Sequence, residues 1–288
     1  MSFTKIYQDK KLELEVHLKR VLSSLTTAPE PLIEAMGYSL VDHGGKRMRP
    51  ILLLETYKMF GGVEPCEEIY NFAVAVECVH AYSLIHDDLP AMDNDDFRRG
   101  RPTNHKMFGE GMAILAGDAL LNLAYELMLG VAKRAADPLK AIRAAEFFAK
   151  SMGARGLIAG QVIDIKAGDA ITGDMLKYVF RHKTGDLVIA PCVAGAILAG
   201  AEKQEIEHMM EFADYFSYAF QIKDDILDFK DKEKRDVNTS FVKMYGNTRA
   251  TQTLGDATQK AQKALTHLSK YDTSFFKQIS MKFAVRKE

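Results

Sequence analysis

The chain has 288 residues, 47% of them hydrophobic, and its 38 Lys and Arg nearly balance its 39 Asp and Glu, leaving a formal net charge of −1. This length allows one large domain or two modest ones, and the apolar content excludes a disordered chain. The near-neutral charge gives no global electrostatic case for nucleic acid or an anionic membrane surface, so any anion must be bound locally.

Cysteine usage and targeting patterns favour a reducing, soluble setting. The three cysteines are far apart in the sequence: Cys66, Cys78 and Cys192. This spacing argues against a disulfide framework or a thiolate metal site. Residues 1–20 lack the pattern of a signal peptide, and the longest uncharged stretch, residues 187–201, is shorter than a membrane span and predicts a buried core helix. We therefore expect a cytoplasmic protein with no membrane insertion and no nucleic-acid partner.

Apolar residues recur at helical spacing along most of the chain. The clearest segments are residues 69–86, 112–132, 141–157 and 206–229. Glycine and proline turns separate them, strand-like alternation is scarce, and one longer polar connection covers residues 230–247. The pattern predicts an all-α protein, a single domain over residues 1–288 with about ten or more helices.

Two of the predicted helices, residues 112–132 and 187–201, carry almost no charge on any face. A helix that is apolar all round is buried centrally or covered by another subunit. We therefore expect a homodimer.

The first acidic motif, residues 86–96, places five carboxylates within ten residues. On an uninterrupted helix Asp87 and Asp93 would not share a face, because six residues rotate by about 240°. Pro90 disrupts the helix, so we expect the next turn to fold back and bring Asp87, Asp88 and Asp93 together.

The second acidic motif follows the spacing i, i+3, i+4, i+7, which places Gln221, Asp224, Asp225 and Asp228 on one helical stripe. An acidic stripe is ordinarily solvated surface. Here apolar residues flank both motifs, and like charges beside a core repel unless a cation lies between them. Oxygen-only ligand sets suit magnesium, which bridges carboxylates to substrate phosphates.

Basic residues accompany the acidic motifs in two clusters, residues 44–50 (GGKRMRP) and residues 98–101 (RRGR). Each cluster taken alone is more typical of a surface charge run than of a binding site. Arg suits bidentate recognition of phosphate, and Lys supplies a point charge. Lys183 lies in an apolar helical stretch, where a lone Lys usually extends toward water. Together with the acidic motifs, these cations predict a phosphate-bearing ligand.

Five segments carry a resemblance to trans-prenyl diphosphate synthases that covers nearly the whole chain. They are GGKRMRP (44–50), ECVHAYSLIHDDLPAMDNDDFRRGRPTNH (77–105), AILAGDAL (113–120), HKTGDL (182–187) and FQIKDDILD (220–228). The two-residue insertion in the first acidic motif most resembles bacterial farnesyl diphosphate synthases. The resemblance implies the isoprenoid synthase fold, with helices around a central cavity. It also implies condensation of isopentenyl diphosphate with dimethylallyl or geranyl diphosphate to the C15 product, farnesyl diphosphate.

The resemblance assigns roles to individual residues. Those that hold magnesium, three ions when diphosphate is bound, are Asp87, Asp88, Asp93, Asp224, Asp225 and Asp228. Those that bind isopentenyl diphosphate are Lys46, Arg49, His80 and Arg99. Arg98 adds to the grip on the allylic diphosphate, and Lys183 is a ligand of that same diphosphate. Thr184 and Gln221 stabilise the allylic cation, and Gln161 and Asp164 match another family element near the pocket.

Two further assignments concern product length and the closing loop. Tyr82, five residues before Asp87, resembles the aromatic floor of a C15 pocket, about 7.5 Å along a helix. On a helical wheel, however, Tyr82 lies about 140° from Asp87, and Ser83 is closer to its face. In the loop after Asp228, Lys234 is the candidate diphosphate ligand, with Lys232 as its alternative.

Four other functions compete with this interpretation. The first is a geranylgeranyl diphosphate synthase, which makes a C20 product. The second, a non-catalytic subunit of a heteromeric prenyl synthase, would be expected to have an eroded aspartate motif. The third, a metal phosphohydrolase, is suggested only by the pair His86-Asp87 and lacks further ligands. The fourth, a terpene cyclase, would replace the second motif with an Asn/Ser/Glu-type triad.

Overall fold

The computed structural model describes residues 2–42, 44–62, 65–230 and 240–286. Its α-helices in chain order are α1 (Phe3–Ser23), α2 (Glu30–Gly37), α3 (Met48–Met59), α4 (Glu67–Asp87), α5 (Asn104–Phe108), α6 (Glu110–Arg134), α7 (Pro138–Met152), α8 (Leu157–Ala167), α9 (Gly173–Val179), α10 (Asp186–Ala199), α11 (Lys203–Lys230), α12 (Phe241–Tyr245), α13 (Asn247–Ala264) and α14 (Ser274–Val285). The predicted all-α class with about ten or more helices is confirmed.

Three kinds of short element join these helices. Wider π-helical turns cover Tyr38–Asp42 and Phe180–Gly185, and 3₁₀ turns cover Gly168–Ala170 and Leu265–Leu268. The third kind is a hairpin of two-residue strands, β1 (Phe97–Arg98) and β2 (Arg101–Pro102), paired antiparallel. The hairpin covers residues 97–102, where the sequence pattern predicts only a connection between helices.

One predicted helix, residues 141–157, is wrong as a continuous element. The chain leaves α7 at Met152 and begins α8 at Leu157. Gly156 lies at the break, where an added Cβ would lie 2.8 Å from Asp186 Oδ2 and still closer to the Ser151 carbonyl oxygen. Only glycine permits this approach, so the break depends on tertiary packing that periodicity does not report.

The chain divides into two compact units, one of Met1–Leu54 with Val63–Ala145, the other of Glu55–Gly62 with Glu146–Glu288. In the first unit α4 is buried along most of its length and packs against α1 and α6. Gly117 on α6 permits a close approach at the end of α4. A Cβ there would lie 3.0 Å from His86 Cε1 and closer still to Nε2.

The second unit is built around α10 and α11. Residues 186–197 of α10 are all buried, which confirms the core helix predicted at residues 187–201. Apolar side chains of α11 pack with those of neighbouring elements, among them Phe180, Ile222, Ile226, Phe241 and Leu254. This packing holds α11, which carries the second acidic motif, against α12 and α13.

Among the described residues, α6 is the one helix that is long and apolar enough to span a membrane. Only 39% of its most apolar window is buried, and Ile114, Leu115 and Leu129 are exposed. A core helix of a soluble protein passes the same test of length and composition. An apolar helix that is partly exposed also fits a subunit contact, so the homodimer stays a prediction.

Candidate active site

The first acidic motif forms a turn that folds back on the end of α4. The helix ends at Asp87, three residues before Pro90. The Asp93 N–H then donates to the Asp87 carbonyl oxygen at 2.9 Å, and the Asn94 N–H donates to the Leu89 carbonyl oxygen at 3.1 Å. The predicted return of Asp93 toward Asp87 is therefore present in the backbone.

Asp88 is buried and paired with Arg98 of β1. Arg98 Nε lies 2.7 Å from Asp88 Oδ1 and 2.9 Å from Oδ2. Burial raises the pKa of Asp88, while the hydrogen bonds and charge of Arg98 oppose that rise. The pair attaches the hairpin to the acidic motif and orients the Arg98 guanidinium.

The glycine-rich basic turn is attached to the same hairpin. Arg99 Nη1 donates to the Gly44 carbonyl oxygen at 3.0 Å, and Arg101 Nη1 donates to the Asp42 carbonyl oxygen at 2.7 Å. Gly45 has φ +122°, and a Cβ there would lie 2.8 Å from Arg99 Nη1. The glycine therefore permits Arg99 to reach the turn that carries Lys46.

Arg49 and His80, both predicted to bind one diphosphate, lie together. Arg49 Nη1 is 3.2 Å from His80 Nε2. Burial, and then the charge of Arg49, lower the pKa of His80 well below its ordinary value, so the imidazole is neutral. Because Nε2 accepts from Arg49, the proton lies on Nδ1, a buried atom with no hydrogen-bond partner among the described residues. His80 therefore has one buried N–H donor that the described part of the protein leaves unsatisfied.

The second acidic motif is linked to the π-helical turn Phe180–Gly185 by side-chain hydrogen bonds. Thr184 Oγ1 donates to Gln221 Oε1 at 3.0 Å, and Gln221 Nε2 donates to Asp225 Oδ1 at 3.0 Å. This order fixes the Gln221 amide with its oxygen toward Thr184. The two residues predicted to stabilise the allylic cation are thus in direct contact.

Asp225 is a buried anchor within the motif. Its Oδ2 accepts the N–H of Phe241 at 2.6 Å, so both carboxylate oxygens accept hydrogen bonds from the protein. Burial, assisted by the charges of Asp224 and Asp228 and opposed by the two hydrogen bonds, raises its pKa to about 7. Asp225 holds α12 to α11, and its metal-binding role stays a prediction.

Lys183 stands in the π-helical turn and is held by α8. Its Nζ lies 2.6 Å from Asp164 Oδ2. Gly160, one turn before Asp164, packs on the backbone of the turn: an added Cβ would lie 2.8 Å from Lys183 Cα and closer to its nitrogen. Of the family element noted at residues 161 and 164, Asp164 thus contacts a predicted site residue. Inserted π turns frequently occur at functional sites.

Arg286 contacts the second acidic motif from the end of the described chain. Its guanidinium pairs with Asp224 and lies 4.2 Å from the Phe220 ring centroid and 5.2 Å from that of Phe283. Sequence reasoning missed this residue, because 62 positions separate the ion pair and no motif surrounds it.

Tyr82 and Ser83, the residues predicted to set product length, lie on α4. Tyr82 is buried, with its ring 5.7 Å from that of His86 in an edge-on arrangement. Burial, and then the neighbouring Tyr125, raise the pKa of Tyr82 to about 12. The Ser83 hydroxyl donates to the His80 carbonyl oxygen at 2.9 Å, within the helix. The role of both in product length stays a prediction.

Comparison with known proteins decides the family. A family model described as polyprenyl synthetase matches residues 30–274. The chain belongs to the polyprenyl synthetase family. It is 44% identical over 236 residues to a farnesyl diphosphate synthase of Geobacillus stearothermophilus, covering 82% of this chain and 78% of that protein. The resemblance inferred from the motifs is confirmed.

Two further proteins are similar to this chain over most of its length. A heterodimeric geranylgeranyl pyrophosphate synthase large subunit of Arabidopsis thaliana is 45% identical over 224 residues, covering 75% of this chain and 60% of that protein. The crystal structure of a geranyltransferase from Legionella pneumophila matches with a TM-score of 0.88 at 26% identity, covering 99% of this chain and 97% of that one. The chain is thus a trans-prenyl diphosphate synthase, and its relatives divide between C15 and C20 synthases.

Family membership implies isopentenyl and allylic diphosphates as substrates, and members typically depend on magnesium. Among the described residues, no three His, Cys, Asp or Glu side chains are already grouped as a metal site. Magnesium characteristically uses one or two carboxylates and completes its shell with water and substrate phosphates. The oxygen-only motifs fit this ion, and the guanidinium against Asp224 shows that this carboxylate attracts a cation.

In the loop after Asp228, the predicted diphosphate ligand Lys234 and its alternative Lys232 lie outside the described residues, so both stay predictions.

Proposed function

We propose that this protein is a farnesyl diphosphate synthase, which joins isopentenyl diphosphate to dimethylallyl and then geranyl diphosphate. One observation carries the proposal: His80, paired with Arg49 of α3, lies on α4 seven residues before Asp87. At 1.5 Å per residue this is about 10.5 Å, a spacing suited to two separate diphosphate sites. The identity to a bacterial farnesyl diphosphate synthase and the buried Tyr82 support the C15 product.

The acidic motifs would bind metal, and nearby basic residues would bind the allylic diphosphate. Six aspartates would hold Mg²⁺, three ions with diphosphate bound: Asp87, Asp88, Asp93, Asp224, Asp225 and Asp228. When bound, Mg²⁺ neutralises the diphosphate charge and makes it a better leaving group. Lys183, oriented by Asp164, binds that same diphosphate, and Arg98 contributes further positive charge.

The second substrate is held by the basic turn. Lys46, Arg49, His80 and Arg99 bind isopentenyl diphosphate and direct its double bond toward the allylic carbon. Positioning and electrostatics supply the acceleration, without a covalent nucleophile. The weakly negative oxygens of Thr184 and Gln221 stabilise the allylic cation, and the released diphosphate takes the proton lost from carbon. We also propose that the enzyme acts in the cytoplasm as a homodimer.

The first test identifies the product and its dependence on metal. Purified protein is incubated with radiolabelled isopentenyl diphosphate, dimethylallyl diphosphate and Mg²⁺, and the products are sized by chromatography. We expect C15 diphosphate, and its complete loss when EDTA removes the metal. A C20 diphosphate would favour the geranylgeranyl alternative, a hydrocarbon would indicate a cyclase, and an alcohol with free phosphate would indicate a hydrolase.

A second test concerns the floor of the pocket. Tyr82→Ala removes a buried ring five residues before Asp87, and we expect the main product to lengthen from C15 to C20. The matched control is Tyr70→Ala, which removes another buried ring of α4, one stacked on His17 with 3.9 Å between centroids. We expect comparable loss of stability in the control but unchanged product. Unchanged C15 output from Tyr82→Ala would show that Tyr82 does not limit the chain.

A further inference from the structure

Arg47 is buried between Lys46 and Arg49, where the basic turn leads into α3. Its side chain is only 1% exposed, and its backbone has φ +51°, in the left-handed region. For a residue with a Cβ this conformation is costly and persists where the surroundings impose it. The turn therefore depends on the contacts of the Arg47 side chain.

Three nitrogens of the Arg47 guanidinium have partners. Nη1 donates to Glu77 Oε1 at 2.7 Å, Nε donates to Glu15 Oε1 at 2.9 Å, and Nη2 donates to the Val41 carbonyl oxygen at 3.3 Å. Burial lowers the pKa of Arg47, but Glu77 and Glu15 raise it above its ordinary value. The network is a largely buried charge cluster, in which Glu77 and Glu15 compensate the charge of Arg47.

This network joins three elements around the basic turn. Glu77 lies on α4 three residues before His80, and such residues share a helix face. Glu15 lies on α1, from which the Tyr7 hydroxyl also donates to the Lys46 carbonyl oxygen at 2.7 Å. Arg47 thus contacts the helix that carries His80 and lies in the turn between Lys46 and Arg49.

We propose that Arg47 is a positioning residue for isopentenyl diphosphate. The network Glu77–Arg47–Glu15 holds the turn so that Lys46 and Arg49 meet the same diphosphate as His80. The proposal rests on the proposed function, because it assigns that diphosphate to the basic turn. The guanidinium donors of Arg47 are directed into the protein, so Arg47 acts through its neighbours. The proposal thereby deepens the proposed function.

The test is the variant Arg47→Lys, which keeps the cation but loses the fork that reaches three partners. We expect KM for isopentenyl diphosphate to rise on the order of tenfold or more, because small misplacements of binding groups carry large kinetic costs. KM for the allylic diphosphate should change by less than about twofold, since that substrate is bound by other residues. Circular dichroism and thermal unfolding verify that the variant is folded.

A second variant and a control make the result decisive. Glu77→Gln keeps the shape of the Arg47 partner and removes its charge, so we expect the same selective rise in KM for isopentenyl diphosphate. This variant provides the test if Arg47→Lys fails to fold. Arg134→Lys is the matched control, because Arg134 forms a half-exposed ion pair with Glu68 at 3.5 Å on the same unit. All its kinetic constants should equal those of wild type.

The outcomes separate the two claims. An active wild type, together with a folded variant whose KM for isopentenyl diphosphate is unchanged, overturns the positioning role and leaves the proposed function intact. A fall in kcat with both KM values unchanged overturns it as well, because that pattern reports fewer folded molecules. A wild type that does not consume these substrates contradicts the proposed function, and this proposal with it.

Discussion

Asp87→Asn is expected to abolish condensation, lowering kcat by roughly 10³-fold or more, because a lost metal ligand removes several kcal/mol of charge stabilisation. The substitution keeps the size of the side chain and the backbone carbonyl that accepts the Asp93 N–H. The turn should therefore survive, and thermal unfolding should be close to that of wild type. Steady-state kinetics at saturating Mg²⁺ measures the effect.

The matched control for this loss is Asp9→Asn. Asp9 is half-exposed on α1 of the same unit and pairs with Lys5 at 3.2 Å. An exposed pair of this kind contributes little to stability, so kcat and KM should be unchanged. Calorimetry should also show that Asp87→Asn loses magnesium-dependent binding of the allylic diphosphate. Activity of Asp87→Asn within tenfold of wild type would remove Asp87 from the metal site.

Gly160→Ala is expected to lower kcat by on the order of 10²-fold, because the added methyl displaces the backbone that carries Lys183. The new Cβ would lie 2.8 Å from Lys183 Cα, a distance that requires α8 and the π-helical turn to separate. Overpacking of this kind costs about 1–3 kcal/mol of stability. Urea denaturation and kinetics with both substrates measure the two effects.

The control for Gly160→Ala is Gly255→Ala on α13. A Cβ at Gly255 meets nothing within 4 Å, and its helix favours alanine. Stability should therefore rise by about 0.5–1 kcal/mol, with unchanged activity. Normal kcat in Gly160→Ala would show that the contact between α8 and the turn does not position Lys183.

The long helices could be predicted because their apolar residues repeat at 3.6-residue spacing. Residues 69–86, 112–132 and 206–229 fall within α4, α6 and α11. The break between α7 and α8 could not be predicted from periodicity. Gly153 and Gly156 allow a helix to continue as well as to end, and the contact that selects the break is tertiary.

The acidic motifs could be located from the sequence, but the state of each carboxylate could not. Helical spacing places Asp224, Asp225 and Asp228 on one stripe. Only the structure reveals that Asp225 is buried and accepts hydrogen bonds from Gln221 and Phe241. Which member of a stripe is engaged depends on what packs against it, and α12 is separated from the motif by residues without helical periodicity.

Two residues whose roles the sequence patterns do not reveal, Arg47 and Arg286, have ion-pair partners that are far away in the sequence. Arg47 pairs with Glu77, 30 residues away, and Arg286 pairs with Asp224, 62 residues away. Ion pairs between elements leave no local pattern, unlike pairs at i, i+4 on one helix. Arg47 stands among basic neighbours in the motif GGKRMRP, and nothing in the sequence separates this buried cation from the cations predicted to bind the ligand.

The most direct test of the central claim measures release of inorganic diphosphate. The claim is that the two acidic motifs hold Mg²⁺ so that the allylic diphosphate leaves as isopentenyl diphosphate adds. With both substrates and Mg²⁺, we expect one diphosphate released for each isopentenyl unit consumed, and none in EDTA. Release that persists in EDTA, or proceeds at the same rate without isopentenyl diphosphate, would contradict the claim.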